Sequence, residues 1–480
     1  MRKLCICWIL VVLMQADLSV GYAQYIYTTN NGALSITQYT GSGGAVSIPA
    51  TIKGLPVTML ANFAFYSKSN VTSVIVPAGV TNIGFEAFYS CGSLTNITLP
   101  ASVTSIGDWA FQNCPKLAAI SVGALNSKYS TVNGVLLDKT QTTLVSYPGG
   151  KAGSYSIPGT IANIGIGAFG GCANLTGISI PASLTNISDS AFYTCAGLAS
   201  INIPGGVTSI GNSAFYSCKS LSSAVIGGGV TTIGDYAFAS CFNLGHVTLG
   251  SNVMNIGYGA FSGSGLTNLS LPDSLKTLGD AAFEYCSNLT AVTVGGGLGS
   301  LANFAFDACT SLSRITLSDG LGSIGVDSFG RCARLVSLTI PGSVTNIGAT
   351  AFSSCTNLGS VYFAGNAPSD GGSIFAGDDK VIVYYSSQAQ GWGAIFGGAP
   401  AVGWNVQIPT RDIGFGVKAG RFGFNITGPS NLTIVVERTL SLQNPIWASL
   451  QTNVLANGSN YFSDSQWTSH ASGFYRIRSP

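Results

Sequence analysis

Ten of the twelve cysteines stand at one position of a recurring unit: Cys91, Cys114, Cys172, Cys195, Cys218, Cys241, Cys286, Cys309, Cys332 and Cys355. Each follows a phenylalanine by three residues. A file of thiols could form a ladder of disulfides or a strip of soft-metal ligands. Metal sites need convergent ligands at C-x-x-C or His-assisted spacing, and the chain carries no such pair and only His246 and His470. Stacked strands would bring neighbouring Cα atoms to about 5 Å, within disulfide range, but parallel side chains fit the right-angle torsion of the bond poorly. The column therefore reads as buried thiols packed as small apolar groups, with the disulfide ladder as the alternative. Lys68 and Ser264 fill the same position in two further units.

The remaining reactive groups do not assemble into a catalytic pattern. Asp108, Asp189, Asp235 and Asp280 recur at one turn position and read as turn formers. Asp378 and Asp379 read as a solvated pair. H-E-x-x-H, a G-x-S-x-G elbow, a phosphate-binding Gly-rich loop and a Cys with a His partner are all missing from the sequence. No catalytic residue, cofactor or metal is expected, and the chain is not read as an enzyme.

These residues are positioned by a repeat. Phe65, Phe88, Phe111, Phe169, Phe192, Phe215, Phe238, Phe261, Phe283, Phe306, Phe329 and Phe352 recur every 23 residues, except for a gap of 58 before Phe169 and one of 22 before Phe283. A period of this length means a solenoid, whose units bury their apolar faces only by stacking. Within a unit, Leu94, Ile97 and Leu99 mark a strand, and Val103 and Ile106 a short second one. Ala110, Phe111 and Cys114 have the spacing of one helical turn.

The strand residue between the inward positions points to the opposite face. It reads Ile75, Thr98, Ser121, Ser179, Asn202, Val225, Thr248, Ser270, Thr293, Thr316, Thr339 and Tyr362. This neutral hydroxyl stripe, with the flanking Asn96, His246 and Arg314, is the candidate ligand-binding face. The bland alternative is a solvated face using Thr for its strand preference. Asn202, Val225 and Tyr362 interrupt the regularity that an ice-binding face would need.

Charged residues make up 8% of the chain, with 20 Lys+Arg against 18 Asp+Glu, so no basic surface is available for nucleic acid. Arg2 and Lys3, an apolar run from Leu4 to Met14 and Gly21-Tyr22-Ala23 read as a secretory signal over residues 1–23. No later stretch is long and apolar enough to span a bilayer. Residues 24–64 then form an N-terminal cap and first strand, and 65–361 the array, with an insertion at about 126–160. In the insertion, Val135 to Asp138 and Thr143 to Tyr147 are expected as two strands joined by a tight turn. Residues 362–404 form a C-terminal cap, so a chain ending near Asn405 is expected to keep its fold. Residues 405–480 form a small β-sandwich-like domain.

The unit V-T-x-I-G-x-x-A-F-x-x-C-x-x-L, as in VTSIGNSAFYSCKSL from Val207 to Leu221, resembles the Treponema-type leucine-rich repeat of BspA-like bacterial surface proteins, from Gln24 to about Trp404. The resemblance implies a leucine-rich repeat solenoid of parallel β-rich coils with short helical turns, secretion, and adhesion or protein binding in some members. The stretch VVERTLSLQNPIWASLQT resembles an all-β module at the C-termini of secreted Verrucomicrobia-type proteins. Its Trp447, Tyr461, Phe462, Phe474 and Tyr475 are expected in its core. The resulting expectation is a monomeric, secreted or cell-surface scaffold binding an extracellular protein or polysaccharide. A structural envelope or matrix component without a discrete ligand is the alternative.

Overall fold

A repeating unit of 23 residues has too little interior to bury a phenylalanine alone, so its Phe must be covered by the coils on either side. In the computed structural model, which describes residues 24–442, 446–469 and 473–478, this is how the rings are arranged. The signal peptide read at 1–23 lies outside the described residues. By its contacts the chain divides into two units, residues 1–140 and 141–480.

In the first unit, Tyr25–Asn30 and Ala33–Tyr39 pair antiparallel. Tyr39 lies face to face on Phe65 at 4.9 Å, and Phe88 and Phe111 continue the pile. The strands Gly44–Ser47, Val71–Ile75, Asn96–Leu99 and Ala119–Val122 form a parallel sheet. Val135–Asp138 is a strand as expected, and a further strand, Tyr129–Val132, pairs antiparallel with it across Asn133 (φ 50°) and Gly134 (φ 79°). This Asn-Gly pair supplies the two left-handed residues of a tight hairpin turn.

In the second unit, Tyr147 lies on Phe169. Nine further rings follow to Phe375, each stacked on the last at 4.8–5.8 Å. Thr143–Ser146 pairs parallel with Asn163–Ile164 and so joins the ladder of short strands. Phe375 belongs to a further coil inside the segment read as a cap. It follows Phe352 by the regular 23 residues, but Ile374 replaces the usual Ala and obscures the motif.

The A-F-x-x-C segment is not helical. Among the described residues the one helix is a 3-10 turn at Trp467–Ser469. Left-handed residues flank each Phe instead, as Ser213 (φ 54°) and Ser217 (φ 56°) flank Phe215. They turn the amides of Ser213, Phe215 and Ser217 toward the next coil, where they donate to Asp235, Ala237 and Ala239 at 2.7–2.8 Å. An α-helix would aim those amides along its own axis. The Gly of each I-G pair lets the coils approach, for a Cβ on Gly234 would meet the Asn212 nitrogen at 2.7 Å.

All ten column cysteines are buried, free thiols. Sγ of Cys218 donates to the Phe192 carbonyl at 3.2 Å, and Cys195 and Cys241 do the same to Phe169 and Phe215. The column thus supplies a compact, weak donor to a carbonyl shut away from water, a task for which a thiol is well suited. Burial pushes the Cys195 and Cys218 thiols well above their usual range, which leaves them inert. Denatured, unreduced protein lacking residues 1–23 should therefore titrate with close to ten thiols. Recovery of few or none would establish the disulfide ladder instead.

The C-terminal domain consists of two three-stranded antiparallel sheets. One comprises Gly416–Lys418, Arg421–Thr427 and Ser459–Asp464, the other Leu432–Thr439, Ala448–Leu455 and Phe474–Arg478. Of the aromatics expected in its core, Phe462 is buried and Tyr475 packs against it. Tyr461 and Phe474 are exposed, and Trp447 lies at the surface beneath the Arg476 guanidinium, 4.3 Å away. Phe474–Arg478 is an outer strand that half-buries only alternate residues, Tyr475 and Ile477, and Phe474 faces away from the core.

Candidate functional site

Parallel pairing in register carries the hydroxyl stripe from coil to coil. Asn202 pairs with Val225 and Val225 with Thr248, Ser270 with Thr293 and Thr293 with Thr316, and Thr339 with Tyr362. Alternation along each strand sends Ile201, Val292 and Ile315 into the core and leaves Asn202, Thr248, Ser270, Thr293 and Thr316 exposed. Thr339 is half-buried. His246 and Arg314 are exposed at the flanking position, beside Ser223 and Ala291 respectively. Asn96 and Thr98 occupy the equivalent face of the first unit, also exposed.

Hydroxyls in neighbouring columns behave differently. Thr208 and Thr231 donate to the carbonyls of Thr185 and Thr208 in the preceding coil, and Ser222 and Thr290 to those of Ala199 and Thr267, at 2.9–3.2 Å. These side chains staple coils together. Those of Thr248, Ser270, Thr293 and Thr316, among the described residues, have no partner in the protein. Along the stripe these four hydroxyls stay available to something else.

At its C-terminal end the stripe meets a wall. Tyr362 is only 3% exposed, its hydroxyl donates to the Thr433 carbonyl at 3.2 Å, and burial pushes its phenol up to about 12. It belongs to one apolar cluster with Tyr384, Phe424, Ile426, Leu432 and Phe462. The C-terminal domain covers this end of the strand face, so Tyr362 is a wall residue and not an open contact position. Nothing in the sequence of one unit marks this, because the covering residues lie 60 to 100 positions away.

The recurring turn acids also act in stacking. Oδ1 of Asp189, Asp235 and Asp280 accepts the amide of Asn212, Tyr258 and Asn303 in the following coil, at 2.7–3.1 Å. Asp378 departs from the reading of a solvated pair. It fills the cysteine position of the Phe375 coil, it is buried, and neither carboxylate oxygen has a hydrogen-bond partner. Burial pushes its carboxyl up from 3.8 to about 6. The folded chain thus favours the neutral acid, and the penalty on this coil grows as pH rises from the ordinary carboxylate value through about 6. The protonated carboxyl is also the form that can donate, as the thiols of this column do. No group of three or more candidate metal ligands occurs among the described residues, and no helix among them is long and apolar enough to cross a membrane.

Residues 58–139, 146–267 and 255–381 match the family described as "BspA type Leucine rich repeat region", in six copies. No curated protein matches the chain. Among solved structures it is similar to a leucine-rich repeat protein from Bacteroides ovatus, at 25% identity over 78% of this chain and 95% of that one, with a TM-score of 0.49. It is also similar to a leucine-rich cell surface protein from Faecalibacterium prausnitzii, at 26% identity over 73% of this chain and 96% of that one, with a TM-score of 0.45.

Proposed function

The chain belongs to the BspA-type leucine-rich repeat family, and on that premise we propose that it is a secreted or cell-surface scaffold that binds an extracellular protein or glycan through the hydroxyl stripe. The observation carrying this reading is the contrast between columns. Thr208, Thr231 and Thr290 are engaged with the preceding coil, whereas Thr248, Ser270, Thr293 and Thr316 present unpaired hydroxyls at regular strand spacing. A sheet face of this kind offers many equivalent hydrogen-bonding points, and affinity accumulates over the contacts without charge steering. The N-terminal segment, with Arg2 and Lys3 before an apolar run, supports export.

The test uses the protein lacking residues 1–23 on glycan and protein arrays. Thr248→Arg combined with Thr293→Arg should abolish saturable capture, because two long charged side chains would stand on the contact plane. Stability should change by no more than about 0.5 kcal/mol, as for other solvent-facing substitutions. Ser251→Arg with Ser287→Arg adds the same charge at exposed sites off the strand face and should leave capture intact. Full binding by the stripe variant, or wild-type protein that captures nothing and is instead retained in the envelope, would defeat the reading.

A further inference from the structure

The stripe ends in a cavity, and we propose that this cavity is a subsite for a single uncharged pyranose ring, the terminal sugar of a glycan lying along the stripe. The inference rests on the binding role proposed above and adds a place and a ligand class to it. The cavity has a volume of about 260 Å³ and is lined by Thr339, Tyr362, Tyr384, Ser386, Trp404 and the rim residue Ala364, among others. Drug-sized ligands occupy about 300–1,000 Å³, so this space suits one sugar ring.

Register explains why these side chains meet. Thr339, Tyr362 and Tyr384 are successive partners across the parallel strands, and Ser386 pairs with Trp404 one step along the same face. The C-terminal domain closes the far side through the cluster around Tyr362 and Tyr384. The wall is held in place from behind, since the Tyr362 hydroxyl is anchored on Thr433.

The chemistry of the lining selects the ligand. None of the lining residues is charged, so a phosphate, carboxylate or ammonium group would lose its hydration without a counter-charge. Tyr362 and Tyr384 turn their faces to each other, 5.2 Å apart at 18°. They therefore do not form the box of ring faces that holds a quaternary ammonium. Trp404 stands across Tyr362 at 67° and is only partly buried, which leaves an indole surface for the C–H face of a sugar. Ser386 brings a hydroxyl group to the same space: its Oγ accepts the Gln388 amide at 3.4 Å, and its O–H can donate to a ring hydroxyl. An amphipathic ring with one apolar face and a polar rim matches this combination, as aromatic surfaces with polar neighbours do generally.

Saturation-transfer NMR and tryptophan fluorescence on the full chain lacking residues 1–23, titrated with glucose, galactose, mannose, N-acetylglucosamine, choline and inorganic phosphate, would decide. At least one neutral sugar should show saturable transfer to its ring protons. Ala364→Trp, which plugs the rim from an exposed position, should weaken that binding at least tenfold without lowering Tm. Trp404→Phe should retain part of the binding, and Trp404→Ala should lose it along with the fluorescence change. Binding of choline or phosphate in place of sugar, no binding of any neutral sugar, or sugar binding indifferent to Ala364→Trp would each overturn the proposal. The two roles give different outcomes. Array capture lost in the Thr248→Arg/Thr293→Arg variant with no monosaccharide binding sinks the subsite alone. Monosaccharide binding lost in Ala364→Trp, together with array capture that survives the stripe variant, supports the subsite and sinks the stripe.

Discussion

Phe238→Ala is expected to destabilise the second unit by about 3–5 kcal/mol, the cost of emptying a fully buried aromatic site. Phe238 is fully buried and lies between Phe215 at 4.9 Å and Phe261 at 5.2 Å, nearly parallel to both. The loss is therefore of two ring contacts and of the surface that closes two coils. Because repeat arrays are stabilised through nearest-neighbour interfaces, the damage should also divide the array, and a single unfolding transition in denaturant should become two. The comparison is Phe242→Ala, four residues on, whose ring is 58% exposed and whose removal should change stability by about 0.5 kcal/mol or less. Equal effects of the two substitutions would show that the ring stack is not what holds the coils together.

A chain ended at Asn405 should lose the order of its last coils and become prone to aggregation, contrary to the expectation from sequence that residues 362–404 cap the array unaided. The removed domain covers Tyr362 and Tyr384, which are 3% and 2% exposed in the full chain, and packs against Ile382 and Trp404 as well. Burying an aromatic side chain removes about 150–250 Å² from water, worth roughly 4–6 kcal/mol each at 25 cal/mol per Å² as an upper figure. Exposing two of them, with their neighbours, should produce dye binding and a lowered first transition, while the coils from Phe169 to Phe329 persist. Tyr362→Ser with Tyr384→Ser in the shortened chain should restore solubility. If the shortened chain keeps the Tm of the full protein and binds no dye, the C-terminal domain is an independent neighbour.

Most of the architecture is dictated by the repeat alone. A Phe every 23 residues, apolar alternation at Leu94, Ile97 and Leu99, and a Gly after most of the short strands impose stacking and register, because a one-residue slip would turn every inward side chain to water. The same alternation marks the outward stripe, since the residue between two buried ones must face the other way. The burial of the cysteines follows as well, from their fixed place beside the Phe. What the repeat does not reveal depends on residues distant along the chain. The spacing of Ala110, Phe111 and Cys114 reads as helical, but the amides of this segment find their acceptors in the next coil, and a partner 23 residues away outweighs a local turn. Thr248 and Thr208 are the same residue type, yet only the tertiary structure separates the free hydroxyl from the one bound to a neighbouring carbonyl. Tyr362 continues the stripe in sequence and leaves it in space, because Phe424, Ile434 and Phe462 fold back over it. Local pattern specifies which face a side chain takes. What covers that face is decided by packing between segments that no period connects.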